Sequence, residues 1–585
     1  MQELRNDVLI IGSGGAGLRA AIAAAEGGVS VTLMSKGPLG RSGATIIAGA
    51  DIMADGRTLA DLGYPDKPDD SPDDWAQDIL TEGFYLNNEN LVHSYVHGAG
   101  PRVRELLEWG MEIRGTEERA LITTGVSIAG SLRKRLAGLA ITNLSGVTAV
   151  DLLTGGGRVL GALAVDYETG ELILVRAKAV VLATGGWHQA YSFNAGADEL
   201  TGDGQGMAYR AGAELVDMEM VTFAPNILLG PPRYRGSLFF YILPGKLLNR
   251  NGEEFMAWED PKVAKLATTT EWNKLLFSKA SMREVRAGRG GPRGGVFFSM
   301  KHIPNNLFDR LGEEYPGWRF QGDDFSSLMK RMRDGYAVEV GPAAEYFEGG
   351  IRINECCETS IPGLYAAGEC SGGLFGANRV AAATTEMVVE GEIAGREAAR
   401  AIKDLDFFPV DSQQVEDLSS RVVRPFVVHN GQASSVAELR RHLRELSYKQ
   451  VGVLRNGKNL AEAIDEIEDI SSALDELPLV TLRRDHNREW TEAIELRNML
   501  QCVELSARAA LAREESRGVH IREDHPFVDD AEWRKHIVLQ HGENSPMFTT
   551  APVISDNTRP PQRTPYEEAI VRAAETLAGE VERDG

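Results

Sequence analysis

Three glycines, Gly12, Gly14 and Gly17, lie between an apolar run, Val8-Leu9-Ile10-Ile11, and an alanine-rich run from Leu18 to Ala25. An apolar run that ends in glycines and passes straight into helix formers predicts a buried parallel strand, a tight loop and a helix N-terminus. Gly12 permits the sharp turn, Gly14 lets a pyrophosphate approach the backbone, and Gly17 lets helix and strand pack closely. The free N–H groups and positive dipole end of the helix then face phosphates, so the chemistry is dinucleotide binding. Alone, the glycine spacing also suits an ordinary loop in a chain holding 63 glycines. Its position between this strand and this helix selects the nucleotide reading.

Other stretches repeat the theme. A second strand, residues 29–34, ends in Ser35-Lys36. An NAD-binding unit usually has an acidic residue there for the ribose hydroxyls, so here a hydroxyl or a distant group must serve. Gly37 to Thr45 is glycine-rich with small hydroxyl residues; it could lie along a flat cofactor or form a surface loop. Another apolar run, Ala179 to Leu182, leads into Ala183-Thr184-Gly185-Gly186, and Thr201-Gly202-Asp203-Gly204 opens a helix. Far down the chain, Gly363-Leu364-Tyr365-Ala366-Ala367-Gly368-Glu369-Cys370 and Gly376-Ala377-Asn378-Arg379 follow the same strand, glycine and helix order. The nucleotide domain is therefore expected to be discontinuous, with residues 226–345 inserted as a separate lobe. Arg283, Arg286 and Arg289 form a basic cluster that suits either catalysis or a charged helix face.

Around these stand the elements that must position them. Residues 51–75 are rich in Asp, Pro and Gly and read as irregular. From Asp73 to Gly115, apolar residues recur at helical spacing, and residues 141–180 switch to short strands with glycine turns. After residue 411, stripes such as Val436-Leu439-Leu443-Leu446 predict a helical bundle, and the last forty-odd residues a tail ending in one short helix. A length of 585 residues implies several lobes, and a net charge of −23 argues against nucleic acid or an anionic membrane as main partner. No apolar run reaches a membrane span. The first strand begins within ten residues of Met1, which leaves no room for a signal peptide and suggests a cytoplasmic protein. The four cysteines hold no CxxC pair, and the eleven histidines no HxH or HExxH, so neither an iron–sulfur cluster nor another metal site is expected.

Taken in order, GSGGAG, GRSGAT, ATGG, TGDGQGMA, GLYAAGE and GANR, then Glu515-Ser516-Arg517-Gly518-Val519-His520-Ile521-Arg522-Glu523-Asp524, carry a resemblance. The chain resembles the flavoprotein subunits of succinate dehydrogenase and fumarate reductase, with L-aspartate oxidase and adenylylsulfate reductase as cousins. The resemblance implies an α/β fold: a discontinuous Rossmann-like FAD-binding domain (1–225 and 346–410), an inserted α+β capping domain (226–345), a C-terminal helical bundle (411–540) and a tail (541–585). It implies FAD in place of NAD. By position, Gly12, Gly14 and Gly17 hold the pyrophosphate, Ser42 and Thr45 lie along the flavin, Asp203 reaches cofactor hydroxyls, and Glu369 binds the ribityl or ribose side. The same motifs add Gly15, Ala16, Ser35, Lys36, Gly43, Thr184, Gly185, Ala383 and Thr384 to the expected cofactor contacts. Respiratory members often attach FAD through a His in the loop that here reads Arg41-Ser42-Gly43-Ala44; glycine has no nucleophile, so the flavin is expected to be non-covalent.

The resemblance further implies hydride transfer between flavin N5 and a C–C bond adjacent to a carboxylate or carbonyl. In fumarate-type members one Arg delivers a proton while two His and a second Arg hold the carboxylates. Arg379 matches the second Arg, and Lys274 aligns with the proton donor, with Arg286 and its neighbours competing for that role. The two His positions fall on Ala224 and Glu345. Glu345 could be an acid/base or an ion-pair partner, and Lys274 a solvated lysine. A carboxylate in place of a His makes a dicarboxylate unwelcome, so fumarate and succinate are not the expected substrates. Electrons would pass to a separate iron–sulfur subunit, which could hold the chain peripherally at a membrane. The alternatives are sulfite chemistry like that of adenylylsulfate reductase, an O2-using oxidase, or a non-catalytic flavin electron-transfer subunit.

Overall fold

The computed structural model describes residues 1–585 except 50, 240–244, 257–269, 315–317, 321–322, 429–433, 544, 556–560 and 580–585. Its centre is a five-stranded parallel sheet in the order Leu364–Ala366, Ala179–Leu182, Val8–Ile11, Val31–Ser35, Ile141–Ser145. All four residues of Val8–Ile11 and all four of Ala179–Leu182 are buried, as a sheet covered on both faces requires. The outer strand Leu364–Ala366 arrives from far down the sequence, so the sheet is built from two separated stretches of chain.

The alanine content of helix Gly15–Glu26 has a packing cause. Helix Ala383–Ala401 lies against it, and a Cβ on Gly391 would come within 2.5 Å of Ala16 O, one on Gly395 within 2.2 Å of Ala20 O. Only small residues on both helices allow so close an approach. At the head of the first helix, Gly12 has φ +110° and a Cβ there would lie 2.1 Å from Ala183 O; a Cβ on Gly17 would lie 1.8 Å from Gly12 O. The turn and close-packing roles expected for these two glycines are therefore visible.

The strands expected over 141–180 form a second layer. Val147–Gly155, Arg158–Asp166 and Leu172–Arg176 make an antiparallel meander, and the N-terminal strand Gln2–Arg5 joins its edge in parallel. Helices Pro72–Glu82 and Glu89–Glu108 realise the helical spacing, while the stretch read as irregular holds a short strand, Asp51–Met53, and a helix, Gly56–Asp61, capped by the Asp55 side chain.

Strands Val221–Gly230 and Val338–Phe347 pair antiparallel, and Val296–Ser299 and Lys246–Leu248 extend their sheet. An apolar cluster including Leu228, Phe239, Phe298, Phe325, Met329 and Val340 fills this region, separate from the main core. The expected cuts at 225/226 and 345/346 both fall inside this strand pair, which runs unbroken from one region into the other. Parts of the expected lobe, residues 240–244 and 257–269 among them, lie outside the described residues.

Helices Val436–Gln450, Gly457–Asp475 and Arg488–Ala512 bury the stripes read from sequence, and each begins at a capping side chain, Ser435, Asn456 or Asn487. The motif from Glu515 to Asp524 is largely buried: Arg513 donates to Glu219 Oε1 at 2.6 Å, and Glu515 pairs with both Arg513 and Arg517. The final segment is more than a tail. Met547–Pro552 pairs with Lys535–Gln540, Arg563–Pro565 pairs with Phe527–Asp529, and helix Tyr566–Leu577 buries Tyr566 and Ile570. Its alternation was too short and too interrupted by proline to show this in sequence. Among the described residues, no helix is long and apolar enough to cross a membrane.

Candidate active site

One cleft of about 2280 Å³ runs along the C-terminal ends of the parallel strands. That volume exceeds a usual single-ligand pocket of about 300–1,000 Å³, leaving room for a large cofactor and a substrate together. Its lining joins Gly12 to Ala16, Ser35-Lys36, Ser42 to Thr45, Thr184-Gly185, Asp203, Glu369 and Ala383-Thr384 with Lys274, Glu345 and Arg379. Gly17, the next residue, does not line the cleft and acts through packing against Gly12. Arg286 is not brought to the cleft: its guanidinium is paired with Glu523 and donates to Leu454 O. Its catalytic candidacy is corrected accordingly. The helix that carries Lys274, Thr270–Arg286, is 17 residues long, so a residue twelve positions on lies about 18 Å along the axis.

The cofactor end fits FAD on several observations. Helix Gly15–Glu26 starts at Gly14 without a capping side chain and has no acidic residue in its first turn, which suits an anion at its N-terminus. Helix Ala383–Ala401 likewise starts without a capping side chain. Thr45 Oγ1 accepts from Gly15 N at 2.9 Å, fixing the second loop against the first. Thr184 Oγ1 accepts from Gly204 N at 3.1 Å, and Ser35 donates to Gly37 O at 2.8 Å. Glu369 accepts from Gly186 N at 3.2 Å through Oε2, while its buried Oε1 has no hydrogen-bond partner within the chain. Burial raises the Glu369 carboxyl above its ordinary range.

Lys36 and Asp203 are tied to each other. Lys36 Nζ lies 2.7 Å from Asp203 Oδ2 and 2.8 Å from Glu495 Oε1, and Asn498 donates to Asp203 Oδ1 at 2.8 Å. Burial opposes the charge on Lys36, but Asp203 and Glu495 outweigh it and hold the ammonium above its ordinary value. The C-terminal bundle thus reaches the strand end that in NAD-binding units carries an acid.

At the other end, Arg379 Nη2 donates to Glu345 Oε1 at 2.9 Å, and Lys274 Nζ lies 3.8 Å from Glu345 Oε2 and donates to Arg379 O at 3.3 Å. The Arg379 guanidinium also sits over the Tyr346 ring, 4.5 Å from its centroid. Burial alone would raise Glu345, but Lys274 and Arg379 bring it down to about 2, so it stays ionised. Beneath them, Glu348 Oε1 accepts from Arg379 N at 3.2 Å and from Thr222, and burial pushes this carboxyl up to about 7. Tyr346 donates to Glu386 Oε2 at 2.5 Å. Ala224 is not itself a lining residue, but it sits in an apolar cluster with Ile227, Phe193 and Leu238, which line the cleft.

Sequence reading missed His188. It is buried in the cleft wall, its Nε2 donates to Glu345 O at 2.9 Å and lies 3.4 Å from Glu369 Oε1. It therefore links the Glu345 cluster to Glu369. Its place directly after Gly185-Gly186-Trp187 was the available signal. Glu348 was missed because nothing near it in sequence distinguishes it from a surface acid.

A family model described as FAD binding domain matches residues 7–120 and 114–385, and one described as Fumarate reductase flavoprotein C-term matches 440–566. The chain is 30% identical over 581 residues to the succinate dehydrogenase flavoprotein subunit of Rickettsia bellii, covering 91% of this chain and 92% of that protein. It is 34% identical over 560 residues to one chain of the CoM/CoB fumarate reductase of Methanothermobacter marburgensis, covering 91% and 96%. The solved structure of Mycobacterium smegmatis Sdh1 in complex with UQ1 superposes with TM-score 0.83 at 30% identity, covering 96% of each chain.

Proposed function

The chain belongs to the flavoprotein subunits of the succinate dehydrogenase/fumarate reductase family, which are flavin-dependent oxidoreductases, and from that premise we propose that it acts on a C–C bond next to a carboxylate or carbonyl in an anionic substrate other than fumarate or succinate. The observation that carries this reading is the carboxylate of Glu345 between Lys274 and Arg379. Two cations and one ionised acid leave the cluster with a single net positive charge. A second substrate carboxylate about 4 Å from Glu345 would meet repulsion of about 4 kcal/mol at an effective dielectric of 20. A substrate with one anionic end and a neutral or carbonyl end meets no such penalty.

When bound, FAD supplies hydride exchange at N5. The residues that would hold it are the Gly12–Gly17 loop at the pyrophosphate, Ser35 and Glu369 at hydroxyls, and Thr45, Thr184, Ala383 and Thr384 along the ring and its linker. Gly43 has φ +80°, and a Cβ there would point into open space; the absence of a nucleophile at that position supports non-covalent attachment. Arg379 grips the anionic end with a planar fork that a lysine cannot copy. Lys274 holds a proton at Nζ for the substrate carbon opposite the hydride. Glu345 fixes both cations, and Tyr346 supports the Arg379 guanidinium from below.

Electrons, in this reading, enter or leave through a separate iron–sulfur subunit, since the four cysteines of this chain contain no CxxC pair to hold such a cluster. In this reading the chain works in the cytoplasm, peripheral to a membrane only through such a partner. The region built on the strand pair Val221–Gly230 and Val338–Phe347 acts as the capping domain over the cleft.

The test mixes anaerobically prepared, dye-reduced, FAD-loaded protein with α,β-unsaturated monoacids, unsaturated ketones, fumarate or O2, and the oxidised protein with sulfite, following flavin absorbance. Fastest reoxidation by an unsaturated mono-anion or ketone is the expected result. Reoxidation by O2 alone, or a stable adduct with sulfite and no reaction with any alkene, would replace this reading with the oxidase or sulfite alternative.

A further inference from the structure

His93 and His97 lie four residues apart on helix Glu89–Glu108, so their rings share one face of that helix. The rings are stacked with centroids 6.0 Å apart and planes 12° from parallel. Facing them is Asp73, in the first turn of helix Pro72–Glu82. Its Oδ1 is 3.1 Å from His97 Nε2 and 3.9 Å from His93 Nδ1, and all three ligand atoms lie within 4.8 Å of one another. On the far side of the His93 ring, Nε2 is 3.9 Å from Glu89 Oε1, one turn back on the same helix.

We propose that Asp73, His93 and His97 form a binding site for one divalent transition-metal cation of the zinc class, which staples the first turn of helix Pro72–Glu82 to helix Glu89–Glu108. Ligands at about 2.0–2.1 Å from a tetrahedral Zn2+ are separated from each other by about 3.3 Å. Two of the three separations already bracket that value, and exposed side chains reach the third by small rotations. Two imidazoles and one carboxylate are borderline donors that favour Zn2+, Co2+ or Ni2+ over Mg2+ and Ca2+. Glu89 is placed to orient the His93 ring through its other nitrogen, the usual arrangement behind a metal-bound histidine. The fourth position faces solvent and would hold water. None of the three residues lines the cleft, so the ion has no part in the flavin chemistry. His93-Ser94-Tyr95-Val96-His97 has the histidine spacing of HExxH without its Glu, and Asp73 joins it only through the fold.

The experiment uses untagged, FAD-loaded protein stripped with a chelator and titrated with Zn2+ by calorimetry, with Co2+ as an absorbance probe. Expected are one Zn2+ per chain at a Kd of about 1 µM or tighter, and a higher thermal unfolding midpoint in its presence. A His93→Ala/His97→Ala double variant should lose at least about 100-fold in affinity, and Asp73→Asn about 10-fold or more, both with wild-type flavin content. The Co2+ bands should vanish in the double variant. Unchanged Zn2+ affinity in that variant, or no binding to wild type at about 1 mM, overturns the proposal.

Discussion

Glu345 bridges two cations: its Oε1 accepts from Arg379 Nη2 at 2.9 Å and its Oε2 lies 3.8 Å from Lys274 Nζ. This end of the cleft is therefore organised around an ionised acid rather than around a neutral imidazole. Arg379 is also fixed by its backbone N–H to Glu348 and by the Tyr346 ring, so its position does not depend on Glu345 alone.

Arg379→Ala should lower kcat/KM for the substrate found by the reoxidation panel by about 30- to several-thousand-fold, corresponding to about 2–5 kcal/mol for a buried charge-assisted contact. Arg379→Lys should recover little of this, since a point charge does not replace a fork. Flavin content should stay normal, because the hydrogen bonds of Arg379 go to Glu345, Glu348 and Ala381 and none goes to the glycine loop or to Glu369. Turnover of Arg379→Ala within threefold of wild type would move the anchor elsewhere.

Glu348 gives a pH dependence with a definite sign. Its carboxyl is raised to about 7 from an ordinary 4.5, so the folded state favours the protonated form. The stability this contributes is full below pH 4.5 and is lost as pH rises through 7, by about 3 kcal/mol at 1.36 kcal/mol per unit. Between pH 5 and pH 8, wild type should lose denaturant resistance relative to Glu348→Gln. In the same window the new charge beside Arg379 should raise KM for an anionic substrate, and Glu348→Gln should flatten that rise. Parallel pH profiles for the two proteins would contradict the assignment.

Acid precipitation of pure protein should release all of the yellow chromophore, with FAD in the supernatant, as Gly43 at the family's attachment position requires. Fluorescence remaining on the denatured band would show a covalent link.

Lys36→Met should destabilise the protein by about 3 kcal/mol, because it leaves Asp203 and Glu495 without their shared cation in a largely buried place. Asn498 and Thr201 would still hold Asp203. A change in unfolding free energy below about 0.5 kcal/mol, within the range of ordinary surface substitutions, would mean that solvent already screens this trio.

The cofactor end was legible because its constraints are local. Gly12 and Gly17 are demanded by contacts with Ala183 and the loop itself, and their spacing follows from one turn and one helix. The link of Lys274, Glu345 and Arg379 came from family resemblance, and the fold was needed to bring together residues up to 105 positions apart. Arg286 was misplaced because helical position along the axis separates it from Lys274. His188 and Glu348 act through tertiary neighbours, which no local pattern encodes. The strands at Met547–Pro552 and Arg563–Pro565 form only by pairing with earlier segments.

The most direct measurement of the central claim is steady-state fumarate reduction with a reduced dye, for wild type and for Glu345→His at matched flavin content. The expected result is wild-type turnover well below about 10 per second, the ordinary enzyme median, and a gain when the carboxylate is replaced by imidazole. Wild-type turnover of tens per second, lowered by Glu345→His, would contradict the account and make fumarate the substrate.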